Sequence, residues 1–414
     1  MEQKCRLSGE PLEEVIDLGD LCVSDFLPER VPEPAHGRLR IGIGRQSRLL
    51  QLMDAMDRPP LYKHYWYRSG TNETMKRQLQ GVLNSVFPWV RLRSGDVVLD
   101  IGCNDGTLLG LYPSSHKLFR IGIDPAENLA EEARRHCEAH KSGFFTRETF
   151  EELSGGRKAK IISSIAMFYG LEDPLEFVSD LRECLADDGI WVLQLSYTPL
   201  MIQQNAFDNI CHEHIEYYTL KSMLFLLEKS DLKVLDIEFN DTNAGSFRLL
   251  VTHGHNKMKD ATLFLKDIGD FRVQSTLHYE EMQAFGKPDI YRDYMDRLGQ
   301  LKDETRELLE DLRAKGKRVM GYGASTKGNT LLQFYGLTTD HIEAIAERQS
   351  TKYGLYTAGS WIPIVSEYEM RKMRPDYLLV LPWHFIGEFV SRESEFINRG
   401  GKFIVPLPQL QITS

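Results

Sequence analysis

Cysteine is sparse and scattered in this sequence. Its six residues (Cys5, Cys22, Cys103, Cys137, Cys184 and Cys211) form no CxxC pair, which predicts reduced thiols and argues against a disulfide framework or a zinc site. No stretch approaches the ~20 apolar residues of a membrane span, so no membrane partner is expected. The start, Met1-Glu2-Gln3-Lys4-Cys5-Arg6, lacks the apolar core of a signal peptide, and a cytoplasmic protein is expected. An excess of positive charge is lacking too. Lys and Arg total 50 against 60 Asp and Glu, a net charge of -10, which disfavours general electrostatic binding to nucleic acid. What remains is an ordinary globular composition, 42% hydrophobic and 27% charged, over 414 residues that suit two or three domains.

The chain is organised around Val97-Val98-Leu99-Asp100-Ile101-Gly102-Cys103-Asn104-Asp105-Gly106-Thr107-Leu108-Leu109. An apolar strand running through a Gly-containing turn into a helical pattern begins a doubly wound α/β domain, whose ligand lies outside the carboxyl end of the strand. Gly102 would let the turn close, and Gly106 would let a ligand approach the backbone. Asp100 puts negative charge where a pyrophosphate would sit, so a cationic adenosyl ligand suits the turn better than a dinucleotide. The next strand, Arg120-Ile121-Gly122-Ile123-Asp124, also ends in an acid, placed for two ribose hydroxyls. Residues 88–200 read as strands at 96–100, 119–123, 160–165 and 190–195 alternating with helices at 106–113, 126–138 and 174–186. Ser163 to Tyr169, including Ser164 and Phe168, would wall the adenosyl pocket.

Three further stretches carry chemistry. Tyr62-Lys63-His64-Tyr65-Trp66-Tyr67-Arg68-Ser69-Gly70 packs four aromatics into six residues, either lining a pocket or stapling the helix at 73–87. Phe207 to Tyr218 contains His212-Glu213-His214. This lacks the i, i+4 face of an HExxH zinc site, so no metal is expected and acid–base work is favoured over it. Buried hydrogen bonds at a domain joint are the structural alternative. Arg318 to Leu332 repeats the strand, Gly-turn and helix pattern without a Walker triplet, and Ser325, Thr326 and Lys327 stand at a helix N-terminus suited to phosphate oxygens. Arg248, Arg348 and Lys352 are further candidates for a phosphate. Residues 1 to ~60, interrupted by prolines, read as a small β-rich covering module, and 288–315 as an amphipathic connecting helix.

Taken together, these motifs resemble the S-adenosylmethionine-dependent sugar C-methyltransferases that act on nucleotide-linked 4-keto-6-deoxyhexoses. The likeness rests on Leu99 to Gly106, Tyr65-Trp66-Tyr67-Arg68-Ser69-Gly70, His212-Glu213-His214 with Tyr217, and Gly321-Tyr322-Gly323-Ala324-Ser325-Thr326-Lys327-Gly328. It implies an α/β architecture: a small β-rich N-terminal module (1–65), a central Rossmann-like methyltransferase domain (66–205), a catalytic and connecting segment (206–290), and a second, C-terminal Rossmann-like domain (291–414) for the nucleotide sugar. It implies S-adenosyl-L-methionine as cofactor, held by Asp100, Gly102, Asn104, Gly106, Asp124, Ser164 and Phe168. It also implies a dTDP- or GDP-linked substrate, methylated at C-3' through an enolate. His214 would be the base, Glu213 would orient it, and His212, Tyr65 or Tyr67 would donate to the enolate oxygen. Arg248, Ser325, Lys327, Gly328, Arg348 and Lys352 would meet the substrate's diphosphate.

Two departures stand out. The family's N-terminal module holds zinc with four cysteines, whereas here Cys5 is joined by Ser8, Gly44 and Ser47 at the corresponding places, so no metal is expected. Cys211 stands where a tyrosine often precedes His-Glu-His. Rival readings are a nicotinamide-dependent oxidoreductase or epimerase using the second Gly-turn and Glu347, an O- or N-methyltransferase, and a non-catalytic scaffold.

Overall fold

The computed structural model describes residues 3–56, 66–71, 73–256 and 260–414. Tyr65, a candidate enolate-oxygen donor, lies outside these residues. Strands β1 (Glu13–Cys22), β2 (Phe26–Leu27), β3 (His36–Ile43) and β4 (Leu50–Leu52) form the N-terminal module. The central domain carries β5 (Val97–Ile101), β6 (Phe119–Asp124), β7 (Ala139–Ser142), β8 (Ala159–Ile165) and β9 (Leu185–Ser196). The chain continues through β10 (Glu216–Tyr217), β11 (Leu232–Asn240) and β12 (Ser246–His253). The last domain contributes β13 (Val319–Tyr322), β14 (Ile345–Glu347), β15 (Tyr356–Thr357), β16 (Ile364–Ser366), β17 (Tyr377–Val380), β18 (Lys402–Val405) and β19 (Gln411–Thr413).

The central sheet has seven strands in the order β11-β12-β9-β8-β5-β6-β7. Strands β5 to β9 are mutually parallel, and β12 runs antiparallel to β9. β5 is buried along its whole length, as a parallel strand covered on both faces must be. Strands β11 and β12, drawn from the segment expected to be a connection, complete this sheet. The second sheet, β16-β14-β13-β17-β18-β19, is parallel apart from β19. In both sheets the strand order reverses beside the first strand, between β5 and β8 and between β13 and β17. Those switch points are where α/β sheets bind ligands.

The helix Asp289–Ala314 buries Tyr291, Tyr294, Leu298, Leu301, Thr305, Leu309 and Leu312, a stripe spaced by three and four residues, against the C-terminal sheet and the N-terminal module. The N-terminal module is more than a cover, because its sheet runs β1-β3-β4-β10. Its fourth strand follows His212-Glu213-His214 directly.

The four places of the family's zinc cluster do converge here. Cys5 Sγ lies 3.1 Å from Ser47 Oγ, and Ser8 Oγ donates to Glu10 Oε1 at 2.8 Å. A Cβ on Gly44 would fall 2.9 Å from Cys5 Sγ and 3.0 Å from Glu10 Oε1. One thiol, two hydroxyls and a carboxylate already engaged by Ser8 and the Gln46 N–H do not fit a tetrahedral zinc site.

Candidate active site

The two switch points open into one cavity. Asp100, Gly102, Asn104, Asp124 and Met167 line it from the central sheet, and Ser325, Thr326, Lys327, Pro382 and His384 line it from the second. Cys211, Glu213 and His214 line it between them.

At the first switch point Gly102 (φ 74°) and Asn104 (φ 52°) bend the chain in left-handed conformations. The Asn104 N–H donates to Asp124 Oδ2 at 2.7 Å, and the Ala126 N–H donates to Asp124 Oδ1 at 2.8 Å. Asp124 is thereby fixed at the end of β6. The Asn104 side chain holds the preceding aromatic segment, accepting from Ser69 N–H and donating to the Tyr67 carbonyl, each at 3.0 Å. Tyr67 and Ser69 join the cavity lining as a result. Asp100 accepts from Ser163 Oγ at 2.6 Å. Burial pushes its carboxyl up to about 7, with Ser163 working against the rise and Asp124 and Asp105 adding to it.

Several expected positions fall elsewhere. Gly106 is outside the lining, and a Cβ on it would stand 2.9 Å from the Ala133 Cα. It permits packing between turns of the chain rather than approach by a ligand. Ser164 is fully buried and accepts from Trp191 Nε1 at 2.8 Å. Phe168 sits in the core among Phe177, Trp191 and Tyr218. Ala166 takes φ 56°, which breaks the strand alternation and gives the wall to Ile165, Ala166 and Met167 instead. Arg248 is also buried away from the cavity. It donates to Gln194 Oε1 at 2.8 and 3.0 Å, Glu238 Oε2 at 3.0 Å and the Gly81 carbonyl at 3.0 Å.

In the His-Glu-His segment the two histidines diverge. His212 Nε2 lies 3.0 Å from the Gly37 carbonyl of β3 and is outside the cavity lining, so it ties the segment to the N-terminal module instead of meeting a substrate oxygen. His214 turns inward. Its Nδ1 lies 2.8 Å from the Asn209 carbonyl, which can only accept. In the neutral ring the proton therefore sits on Nδ1 and the lone pair on Nε2. Burial, reinforced by the Lys327 charge, pushes His214 down to about 3, so it is neutral near pH 7. Burial, with Asp25 adding to it, raises Glu213 to about 7. Tyr217 OH donates to the His214 carbonyl at 2.7 Å, and the Leu52 N–H donates to the Ile215 carbonyl at 2.8 Å, pinning the segment from two sides.

At the second switch point Ser325 caps the helix Thr326–Tyr335, accepting from the Gly328 N–H at 3.0 Å. Gly328 is buried beneath that cap, where a Cβ would fall 2.9 Å from Ser325 Oγ. Lys327 reaches into the cavity and donates to Asn209 Oδ1 at 2.5 Å. Arg348 and Lys352 do not line the cavity. Arg348 stands 3.7 Å from Glu388, and Lys352 Nζ donates to the Ala324 carbonyl at 2.7 Å, 4.5 Å from the Phe26 ring centroid. Cys211, Glu213 and His214 bring one donor atom each within 4.8 Å of one another. The Lys327 ammonium acts on all three, so the positive charge a metal ion would bring is already present.

Sequence reasoning passed over Asn209 and His384 as site residues, and took Tyr169 only as the end of the adenosyl wall, not as a partner of His214. Tyr169 and Asn209 lay inside stretches already singled out. His384 had only its place just after β17, at the switch point of the second sheet.

The family description "Methyltransferase domain" matches residues 71–237, and "C-methyltransferase C-terminal domain" matches residues 241–408. The chain is 30% identical over 380 residues to the C-methyltransferase NovU of Streptomyces niveus, covering 91% of this chain and 87% of that protein. The chain belongs to the C-methyltransferase family. A tRNA U34 carboxymethyltransferase of Aeromonas salmonicida is 28% identical over 112 residues, 26% of this chain and 34% of that protein. Among solved structures, an S-adenosylmethionine-dependent methyltransferase from Clostridium acetobutylicum overlaps 45% of this chain and 94% of its own, at 12% identity and TM-score 0.34. Magnesium protoporphyrin IX methyltransferase from Synechocystis, with bound SAM, overlaps 44% of this chain and 78% of its own, at 12% identity and TM-score 0.31. This C-methyltransferase has a Rossmann-like methyltransferase fold with a second, C-terminal α/β domain, and its cofactor is S-adenosyl-L-methionine. No helix among the described residues is long and apolar enough to cross a membrane.

Proposed function

We propose that this C-methyltransferase methylates C-3' of a nucleotide-linked 4-keto-6-deoxy sugar, dTDP- or GDP-linked, in deoxysugar biosynthesis. The observation that carries the reading is the single cavity shared by the two switch points, with His214 between them. The residues at the first switch point fit the cofactor: Asp100 offers a carboxylate to a cation, Asp124 two oxygens to a ribose, and Gly102 a turn without a side chain. S-adenosyl-L-methionine would supply an electrophilic methyl group. Ser325 and Thr326, at the N-terminus of a ten-residue helix, would meet the sugar's diphosphate.

His214 would take the proton next to the ketone on Nε2, with the Asn209 carbonyl holding the ring through Nδ1. General-base help of this kind is worth about 10²–10⁴ in rate. Glu213 is a second candidate base, favoured by a carboxyl raised to about 7 in the same cavity. Comparing His214→Ala with Glu213→Gln separates the two. The variant missing the base loses turnover while its thermal shift with S-adenosylhomocysteine is kept.

The deciding experiment incubates the protein and cofactor with thymidine- and guanosine-diphospho-4-keto-6-deoxyhexoses and locates the added methyl by NMR. A new methyl-bearing carbon at C-3' supports the reading. Methylation on oxygen or nitrogen, or none on any keto sugar, overturns it.

A further inference from the structure

We infer that Lys327 is a catalytic residue that binds the ketone oxygen of the substrate and stabilises the enolate, held for this by Asn209. The inference rests on the functional reading above and moves Lys327 from the diphosphate to the reacting end of the sugar.

Three observations carry it. First, Asn209 serves two partners at once. Its main-chain carbonyl receives His214 Nδ1 at 2.8 Å, and its side-chain Oδ1 receives Lys327 Nζ at 2.5 Å. One residue therefore sets the base and the ammonium relative to each other. Second, the neighbourhood is wrong for a phosphate. Asp208 and Glu213 both act on Lys327, and their carboxylates would repel a diphosphate drawn this deep. Asp208 Oδ1 has no hydrogen-bond partner among the described residues. Third, His212, one of the residues expected to serve the oxygen, is otherwise placed. His212 is spent on the Gly37 carbonyl, while Lys327 lines the same cavity as His214. In a pyranose the diphosphate leaves from C-1 and the ketone is at C-4, across the ring. A cation beside the base at C-3' is therefore beside the ketone.

The step balances within the protein. The C-3'–H bond breaks, and its proton goes to the base, His214 Nε2 in the favoured assignment. Its electron pair becomes the C-3'–C-4' double bond, and the carbonyl pair moves onto oxygen, against the Lys327 ammonium. The ammonium has three N–H donors, of which Asn209 takes one. The same charge that disfavours a proton on His214 favours negative charge on the substrate oxygen. An electrophile of this kind is needed when the base is weak.

The test follows exchange of the C-3' proton into D2O by NMR with no cofactor present. Its probes are thymidine-diphospho-4-keto-6-deoxyglucose and guanosine-diphospho-4-keto-6-deoxymannose. Lys327→Met is expected to slow exchange by about 10²–10³-fold, the range for loss of an oxyanion donor. Its affinity for thymidine diphosphate or guanosine diphosphate should be unchanged, and Lys327→Arg should restore part of the rate. Asn209 is a positioning residue, and Asn209→Ala should slow exchange without weakening nucleotide binding. In Lys327→Met the acid limb of the exchange profile should also move to higher pH, because the cation pressing on His214 is gone. The other groups at that ring, Glu213, Cys211 and Tyr169, stay in place, as do His384 in the same cavity and Asp208, which acts on Lys327. A thermal shift with S-adenosylhomocysteine checks that each variant is folded, and Lys327→Gln stands in if Met does not fold. Weaker nucleotide diphosphate binding with an unchanged exchange rate at saturation makes Lys327 a phosphate ligand and overturns the inference while the functional reading stands. If the unmodified protein neither exchanges nor methylates any keto sugar, the functional reading itself fails.

Discussion

Tyr169 lies against His214, with ring centroids 4.0 Å apart and planes inclined at 52°. The Tyr169 carbonyl also accepts the Ile215 N–H at 2.9 Å, so the residue grips the His-Glu-His segment at two points. Tyr169→Ala would leave the imidazole anchored only through Nδ1. A small misplacement of a reacting group costs about 10²-fold in rate, and a loss of that order in kcat is expected. Tyr169→Phe keeps the ring and should lose far less. Steady-state kinetics of both variants checks this.

The two histidines should separate cleanly. His212→Asn removes a hydrogen bond to Gly37, worth about 1 kcal/mol, and should lower the melting temperature while turnover persists. His214→Ala should lose turnover while its thermal shift with S-adenosylhomocysteine is kept. Paired thermal melts and initial rates decide it, and equal loss of turnover in both would make His214 structural as well.

Asp100 gives a pH dependence whose sign is fixed. Its carboxyl is raised to about 7 in the fold from an ordinary 3.8, chiefly by burial. Between those values the folded chain holds a proton that the unfolded chain has lost, so stability falls as pH rises through the window. The ligand-free protein should therefore melt lower at pH 8 than at pH 5.5 through this group, and Asp100→Asn should remove that part of the slope. Binding of the cationic cofactor runs the other way. Its affinity, measured calorimetrically, should weaken as pH drops below about 7 and the carboxylate is lost.

Arg248 was a phosphate candidate by sequence, and its placement predicts a purely structural phenotype. Its substitution by Ala leaves Gln194, Ser85 and Glu238 without their cation. Stripping one partner from a buried ionic network of this kind costs about 2 to 3 kcal/mol. Urea denaturation should show that loss, with KM for the sugar nucleotide unchanged in the surviving folded enzyme.

The two Gly-turns were legible because an apolar run that stops at glycine before a helical pattern has few other meanings. Expected strands at 96–100 and 119–123 match β5 and β6 to within a residue. The pocket wall was less legible. Ser164 and Phe168 follow from strand alternation carried past β8, but Ala166 at φ 56° reverses which side chains face the ligand, and nothing in an alanine announces that. Arg348 and Lys352 lie close behind the end of β14, yet Glu388 and the Ala324 carbonyl claim them first. Those partners come from elements 28 or more residues away in sequence. Asn209 was missed because its role is divided between main chain and side chain, which no residue pattern expresses. The helix expected over 126–138 breaks into short pieces, Glu127–Leu129 and Ala130–Ala133, before the unforeseen β7.

β4 pairs with β10, so the N-terminal sheet borrows its last strand from Glu216 and Tyr217. During synthesis on a ribosome, the first fifty residues must therefore wait with an unfinished edge until a segment more than 150 residues downstream has emerged. The piece that finishes that edge is continuous with His214, so completion of the N-terminal sheet and arming of the chemistry are one event.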